Sequence, residues 1–148
     1  MADTDLAARL QRLEDDAAIR EALHAYGSAL DYGDREQFLR CFTADAEYVV
    51  TMRLTPDGGM TFRGHDELGA YFDGHTHAPD AWHKHVTTNI AATIDGDTAE
   101  VTSYFLRVDA GADAAPGTVL ASGRYVDVLV RDGGSWRIRS RRCEVENL

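Results

Sequence analysis

The sequence predicts an α+β domain in which helices come first and an antiparallel meander of strands follows. From Trp82 onward, long segments rich in β-branched and aromatic residues are separated by short turns of glycine and aspartate. No internal repeat, linker or low-complexity stretch interrupts this order, so residues 1–148 are expected to form one domain. The N-terminal part instead has apolar side chains at helical spacing, at Leu6, Leu10, Leu13, Ala17, Ile19, Leu23, Tyr26 and Leu30.

Three helices are expected. Gly33 is placed to end the first long helix, because glycine readily adopts the backbone conformation that closes a helix. Asp34 then caps a short second helix that runs through Phe42, and Gln37 stands at the position of a capping-box partner. The segment "HDELGAYFDG", residues 65–74, predicts a third short helix with apolar residues on one face.

Six strands are expected, each bounded by turn residues. The sequence "PDGG" joins the first two, and "DGD" and "DGGS" are tight turns between later ones. Short turns of this kind connect antiparallel neighbours. The strands are predicted at residues 46–52, 60–64, 82–94, 98–109, 118–131 and 136–146.

The composition excludes several classes of function. A net charge of −10 argues against nucleic acid or an anionic membrane surface as a partner, because phosphate groups require a basic face. Cys41 and Cys143 are too few for a disulfide framework and are expected to be reduced and buried. The N-terminus lacks a secretory pattern, and no apolar run approaches the roughly 18 residues of a membrane span. We therefore expect a cytoplasmic protein with a small-molecule partner.

The segment "AWHKHVTTN" raises the question of a metal site. His83 and His85 lie on one face of an extended strand, as two metal ligands would, and His75 and His77 precede them. No histidine follows His85, and the helical first third does not suit a double-stranded β-helix, in which such paired histidines bind metal. We predict no metal and no cofactor, and we expect His65, His75 and His77 to be exposed.

Three segments resemble SnoaL-like domains of the nuclear transport factor 2-like superfamily. "LEDDAAIREALHAYGSALDYGDREQFLRCFTADAEYVV" resembles their opening, "HVTTN" their histidine strand and "GRYVDVLVRDGGSWRIRSRRCEV" their closing hairpin. The resemblance covers nearly the whole chain. It implies a cone-shaped, curved antiparallel sheet packed on N-terminal helices.

The resemblance also implies four catalytic residues. Relatives of the scytalone dehydratase, hexachlorocyclohexane dehydrochlorinase and bile-acid 7α-dehydratase type use an aspartate–histidine dyad in the mouth of the cone. Those positions match Asp31, near the end of the first helix, and His85. The family's pocket tyrosine, five residues before the aspartate, matches Tyr26. The arginine of the last strand, five residues after a tryptophan, matches Arg141.

The dyad indicates proton transfer. A histidine whose other ring nitrogen is held by a carboxylate is a suitable general base near neutral pH. Removing a proton α to a carbonyl and expelling a β-hydroxyl would make the protein a cofactor-independent lyase of the dehydratase type. The expected substrate is an apolar, aromatic or polycyclic carbonyl compound. An isomerase, cyclase or epoxide hydrolase that uses the same dyad is the alternative, as is a non-catalytic ligand-binding or assembly subunit.

Tyr26 and Arg141 have structural alternatives. Five residues along a helix turn by about 140°, so Tyr26 and Asp31 do not share a face, and Tyr26 also fits the apolar series of the core. Strict alternation puts Arg141 on one strand face with Arg137 and Arg139, either with one arginine inside the cone or with all three solvated.

Further residues are predicted to bind the substrate. Alternation places Asn89 on the face of His85, and Cys143 lies beside Arg141. Arg124 shares a face with valines, which favours a buried anionic partner or a bound substrate. The full set of predicted substrate-binding residues is Tyr48, His83, Asn89, Tyr104, Arg124 and Cys143.

The open face of the curved sheet requires a cover. The resemblance implies a homo-oligomer that covers this face, with a trimer favoured and a dimer as the alternative.

Overall fold

The computed structural model describes residues 2–111 and 115–147. Three helices and six strands form in the expected order, together with one turn of 3-10 helix at Pro56–Gly58. The helices are α1 (Ala2–Tyr32), α2 (Arg35–Arg40) and α3 (Gly64–Asp73). The strands are β1 (Phe42–Met52), β2 (Met60–Arg63), β3 (His83–Asp95), β4 (Thr98–Asp109), β5 (Thr118–Asp132) and β6 (Ser135–Val145).

The strands form one curved, unclosed sheet in the order β2-β1-β6-β5-β4-β3. Helix α1 packs against β3 and β6, and α3 packs against β1. The predicted α+β fold is thereby confirmed, and β3 to β6 form the expected antiparallel meander. Strands β1 and β6 pair in parallel. Turn residues in the sequence indicate only hairpins between successive strands, so they could not predict this pairing of two strands far apart in the sequence.

The connection from α1 to β1 is shorter than predicted. Gly33 adopts a left-handed φ of 76° and ends α1, and the Asp34 carboxylate accepts a hydrogen bond from the Gln37 backbone N–H at 2.9 Å. The second helix ends at Arg40 and does not run through Phe42, which already pairs with Ile138 on β6. Long-range pairing with the last strand therefore prevails over local helical pattern at this point.

The core is aromatic and begins halfway along α1. Tyr26, Phe38, Phe42 and Tyr48 are buried and contact one another with ring centroids 5.3 to 6.4 Å apart. The predicted apolar series of α1 reaches this core only from Ile19 onward. The three leucines nearer the N-terminus remain largely exposed, Leu6 at 63%, Leu10 at 53% and Leu13 at 68%. None of the described helices is long and apolar enough to cross a bilayer.

A β-bulge in β6 determines which of its arginines points inward. Val128 pairs with Ser140 and Leu129 with Ile138, so Arg139 is an extra residue that the partner strand does not match. The bulge shifts the alternation by one residue. Arg141 is therefore buried on the same side as Ile138, whereas Arg139 is exposed.

A second bulge interrupts β3. Thr88 pairs with Tyr104 and Ala91 with Thr102, which leaves two residues of β3 opposite one residue of β4. Asn89 adopts a left-handed φ of 53° at this point and is exposed. Asn89 therefore does not share the face of His85, contrary to the prediction from simple alternation.

Candidate active site

His85 and Asp31 form a tight pair where the end of α1 meets β3. The ring Nδ1 of His85 lies 2.6 Å from Asp31 Oδ1, and its backbone N–H donates to Oδ2 at 3.0 Å. A carboxylate only accepts, so Nδ1 carries the proton and Nε2 presents a lone pair. Gly27 permits this close approach, because a Cβ there would lie 3.0 Å from the His85 carbonyl oxygen.

The pair opens onto a small cavity inside the sheet, with a volume of about 180 Å³. His85 is part of its wall, and its Nε2 forms no hydrogen bond with the described residues and is not fully buried. The remaining lining is mostly aromatic and apolar. It comprises Tyr26, Tyr48, Val50, Met52, Met60, Tyr71, His75, Phe105, Arg107, Ala121, Tyr125, Cys143 and Val145.

A larger groove lies elsewhere, between α1, α2 and the β5–β6 hairpin, with a volume of about 410 Å³. Its three arginines already face carboxylates: Arg40 faces Glu36, Arg131 faces Asp15, and Arg137 faces Asp132. It contains no histidine. The cavity with the Asp31–His85 pair is therefore the better candidate for an active site, although its volume is smaller.

Three tyrosine hydroxyls form a chain along one wall of the cavity. Tyr26 Oη lies 3.1 Å from Tyr48 Oη, which in turn lies 3.4 Å from Tyr71 Oη. Burial raises the pKa of Tyr26, and it raises the pKa of Tyr48 and of Tyr71 well above the ordinary value. The phenols therefore remain protonated and can donate hydrogen bonds to a ligand oxygen. Tyr26 and Tyr48 were predicted at the site, but Tyr71 was not.

Arg141 lies behind the cavity wall and not on it. Its guanidinium donates to both oxygens of Asp127, from Nε and from Nη2, each at 2.8 Å. The same group stacks 4.3 Å from the Tyr26 ring and 4.0 Å from the Tyr125 ring. Burial opposes the charge of Arg141, but Asp127 outweighs this and raises its pKa well above the ordinary value. The prediction that Arg141 contacts a substrate directly is therefore corrected. Its guanidinium instead packs against two tyrosines of the cavity wall.

Asp127 is the partner that sequence reasoning missed. Its inward face on β5 also carries Tyr125 and Leu129, and all three are buried. Strand alternation in the sequence instead predicts that the opposite face, with Arg124 and the valines, is the buried one. An aspartate between apolar residues in "RYVDVLV" was the available signal.

Two predicted substrate-binding residues, Arg124 and Tyr104, lie on the outer face of the sheet, away from the cavity. The side chain of Arg124 is 52% exposed and pairs with Glu144. Tyr104, paired with Arg124 across the sheet, is 55% exposed, because β4 buries the alternate residues Ser103 and Phe105. Like Asn89, they do not line the cavity, and these placements correct the prediction.

Of two further residues that were predicted to bind the substrate, Cys143 lines the cavity and His83 does not. Cys143 lines the cavity as predicted, and burial raises the pKa of its thiol to about 12, so it is an uncharged wall residue. His83 is buried behind the pair, with Nε2 3.6 Å from Asp31 Oδ1, and does not line the cavity. Burial, followed by the neighbouring His85, lowers the pKa of His83.

Asp31, His83 and His85 are also the residues most suited to hold a metal ion. Their donor atoms all lie within 4.8 Å of one another, and neither ring nitrogen of His83 has a hydrogen-bond partner among the described residues. Carboxylate and imidazole donors suit Zn²⁺ and similar transition metals. A metal bound by Nδ1 of His85 would displace the hydrogen bond between that nitrogen and Asp31, so those two arrangements exclude each other.

A helix laid across a curved, unclosed sheet, with an aspartate–histidine pair opening onto a cavity inside the sheet, defines a class of small α+β proteins. Within that class, the model of the SnoaL-like domain matches residues 11–142. The chain therefore belongs to the SnoaL-like domain family.

Solved structures agree with this assignment. Rv3472 from Mycobacterium tuberculosis, a protein of unknown function, is 29% identical, with 93% of this chain and 75% of that chain covered and a TM-score of 0.79. A nuclear transport factor 2-like protein with a cystatin-like fold from Novosphingobium aromaticivorans is 27% identical, with 96% and 88% covered and a TM-score of 0.82.

A more distant structure, described as a scytalone dehydratase from the same Novosphingobium, shares the fold alone. It is 23% identical, with 98% of this chain and 88% of that chain covered and a TM-score of 0.68. A comparison with curated proteins gives no match.

Removing one partner of the buried Asp127–Arg141 ion pair should destabilise the protein strongly. We expect Asp127→Ala to lower the free energy of unfolding by about 3–5 kcal/mol, because it leaves the Arg141 charge buried and unpaired. Glu144→Ala is the matched control. It removes the partner of the half-exposed Arg124 on the same sheet and should cost at most about 1 kcal/mol. Chemical denaturation measures both, and equal losses would contradict the structural role assigned to Asp127.

Proposed function

We propose that the protein is a cofactor-independent lyase of the dehydratase type that acts on a small carbonyl compound. One observation carries the proposal: Nδ1 of His85 lies 2.6 Å from Asp31 Oδ1, and His85 is part of the wall of a largely apolar cavity. Such an arrangement fixes the tautomer of a general base and stabilises the positive charge that forms on its ring. Membership in a family whose relatives include dehydratases is consistent with it.

The proposed reaction balances within the site. Nε2 of His85 takes the proton α to the carbonyl, and the electron pair of the broken C–H bond moves onto the carbonyl oxygen. The enolate then collapses and expels the β-hydroxyl, which takes the proton back from the imidazolium and leaves as water. Tyr48 or Tyr71 donates a hydrogen bond to the developing oxyanion. Arg141 supports the tyrosines and does not touch the substrate.

The size of the cavity restricts the substrate. An engineered apolar cavity of about 150 Å³ binds benzene, so the space of about 180 Å³ suits one substituted ring. The apolar wall, with Val50, Met52 and Phe105, would pack on the face of such a ring. We therefore favour a compact aromatic or alicyclic carbonyl compound over a polycyclic one.

An isomerase or cyclase remains the second candidate, and one feature of the lining favours it. Among the described residues, no aspartate or glutamate lines the cavity, so none of them offers a carboxylic acid there to protonate a leaving group. His85 must return the proton that it removes, and returning it to another carbon would give isomerisation. Product analysis on an identified substrate separates the two outcomes.

Loss of either member of the pair should abolish proton abstraction. We expect His85→Ala and Asp31→Asn each to reduce catalysed α-proton exchange of cyclohexanone in D₂O by about 10²- to 10⁴-fold, because the base or its tautomer is lost. Proton NMR measures the exchange. His24→Ala, which changes an exposed histidine on α1, should have no effect. Full exchange by the His85→Ala protein would refute the proposed role of the pair.

Removing metal should leave the reaction intact. We expect the purified protein to contain no stoichiometric transition metal by elemental analysis, and dialysis against a chelator to leave the exchange rate unchanged. The physical reason is that Nδ1 of His85 already donates to Asp31, and a metal held by Nδ1 would have to displace that hydrogen bond. A bound metal whose removal stops the reaction would instead assign Asp31, His83 and His85 as its ligands.

We also propose that the protein is a homo-oligomer, with a trimer favoured. Val86 and Tyr104 are large exposed apolar or aromatic side chains on the outer face of the sheet, and such surfaces commonly mark interfaces. Light scattering should give about three times the 16.3 kDa of one chain. The double variant Val86→Glu with Tyr104→Glu should lower this mass. A monomeric wild-type protein at micromolar concentration would contradict the proposal.

A further inference from the structure

The cavity contains a second imidazole, His75, which was expected to be an exposed loop residue. It follows α3 and lies in the cavity wall together with His85. Its ring packs on Tyr71 with centroids 4.4 Å apart, and its Nδ1 lies 3.1 Å from the Tyr71 backbone carbonyl oxygen. The reaction proposed above makes no use of His75.

The partner of Nδ1 determines the tautomer of His75. A backbone carbonyl can only accept a hydrogen bond, so Nδ1 must carry the proton and donate it. In a neutral ring Nε2 is then an acceptor and cannot donate. Nε2 of His75 has no hydrogen-bond partner in the described part of the chain and is not fully buried, so it is free to meet a ligand.

The surroundings keep this ring neutral. Burial lowers the pKa of His75 to about 4, and the hydrogen bond that its Nδ1 donates to the Tyr71 backbone carbonyl only partly offsets this. The charged or titratable groups that bear on it are His85, Arg107 and His77, and each lowers the pKa further. His75 is therefore unsuited to act as a general acid near neutral pH.

We propose that Nε2 of His75 accepts a hydrogen bond from a hydroxyl group on the substrate, and that the substrate class is a compound with one ring that carries both a carbonyl and a hydroxyl group. The assignment of the carbonyl rests on the proposed function, whereas the assignment of the hydroxyl rests on His75 alone. His75 is a specificity-determining residue in this scheme, because it binds a group that does not react.

A neutral hydroxyl fits the wall better than a cationic donor. No carboxylate of residues 5–111 or 115–147 lines the cavity, and Arg107, the one arginine that these residues contribute to the lining, adds positive charge, although Asp109 pairs with it at 2.8 Å. An ammonium group would therefore be buried without a counter-ion, at a high energetic cost. A hydroxyl needs only the lone pair that Nε2 provides.

The positions of Tyr71 and His75 favour a ligand with two different oxygen functions. The Tyr71 hydroxyl belongs to the chain of donors, while its own backbone carbonyl fixes His75 as an acceptor. The Tyr71 hydroxyl can therefore donate a hydrogen bond to a carbonyl oxygen of the ligand. The Tyr71 backbone carbonyl at the same time fixes His75 as the acceptor for a ligand hydroxyl. A ring that carries both groups satisfies both partners, and an unsubstituted ring ketone leaves Nε2 without a hydrogen bond.

Binding of two matched probes tests the proposal. Wild-type protein should bind 3-hydroxyacetophenone roughly fivefold to tenfold more tightly than acetophenone in calorimetric titrations, the size expected for one hydrogen bond. His75→Phe should abolish this preference and leave the affinity for acetophenone within about twofold. His24→Phe, at an exposed position on α1, is the control and should keep the preference. A preference retained by His75→Phe, or absent from the wild-type protein, overturns the proposal.

A second measurement does not depend on any variant folding. In wild-type protein labelled with ¹⁵N, 3-hydroxyacetophenone should shift the Nε2 resonance of His75, and acetophenone should not. Equal shifts with both probes overturn the proposal.

The binding assay and the exchange assay fail independently. Loss of the hydroxyl preference in His75→Phe, with exchange unaffected by His85→Ala, would uphold the role of His75 and refute the proton-transfer function. The reverse pattern would refute the role of His75 alone.

Discussion

The site depends on the contact between the Asp31 carboxylate and the backbone and ring of His85. One carboxylate accepts from the His85 N–H and from Nδ1, so it joins the end of α1 to β3 and fixes the ring in the same geometry. A buried carboxylate is stable only when its oxygens are hydrogen-bonded. Gly27, one turn earlier, lets the strand approach the helix closely enough for these bonds. Helix packing and tautomer selection are therefore consequences of one interaction.

A buried charge also depends on its partners behind the cavity wall, at Arg141. Arg141 is fully buried, and only the bidentate bond to Asp127 and the flanking faces of Tyr26 and Tyr125 make its charge tolerable there. A replacement of similar size without charge could fill the volume. It could not hold two nearly perpendicular aromatic rings, Tyr26 and Tyr125, by cation–π attraction, which is why we regard the Asp127–Arg141 pair as support for the hydroxyl chain.

Much of the fold was predictable, because turns and composition mark strand ends in the sequence. The boundaries of β4 and the turn after β3 were predicted correctly. Residue facing was predicted less well, since alternation assumes an unbroken ladder. Bulges at Arg139 and Asn89 each add one residue, and from there every side chain points to the opposite face. Nothing in a single sequence marks a bulge clearly, so simple alternation wrongly groups Arg139 with the inward-facing Arg141 and places Asn89 on the face of His85.

The two cavity histidines show how one residue type acquires two chemical roles. Nδ1 of His85 faces a carboxylate, which stabilises positive charge on the ring, so its Nε2 can take and return a proton. Nδ1 of His75 faces a neutral carbonyl, and burial keeps that ring uncharged. Both residues line the same cavity, yet only the ring of His85 has a carboxylate beside it that would stabilise the positive charge created by the proposed proton transfer. The partner of the distant nitrogen, and not the histidine itself, therefore decides which ring can serve as the base.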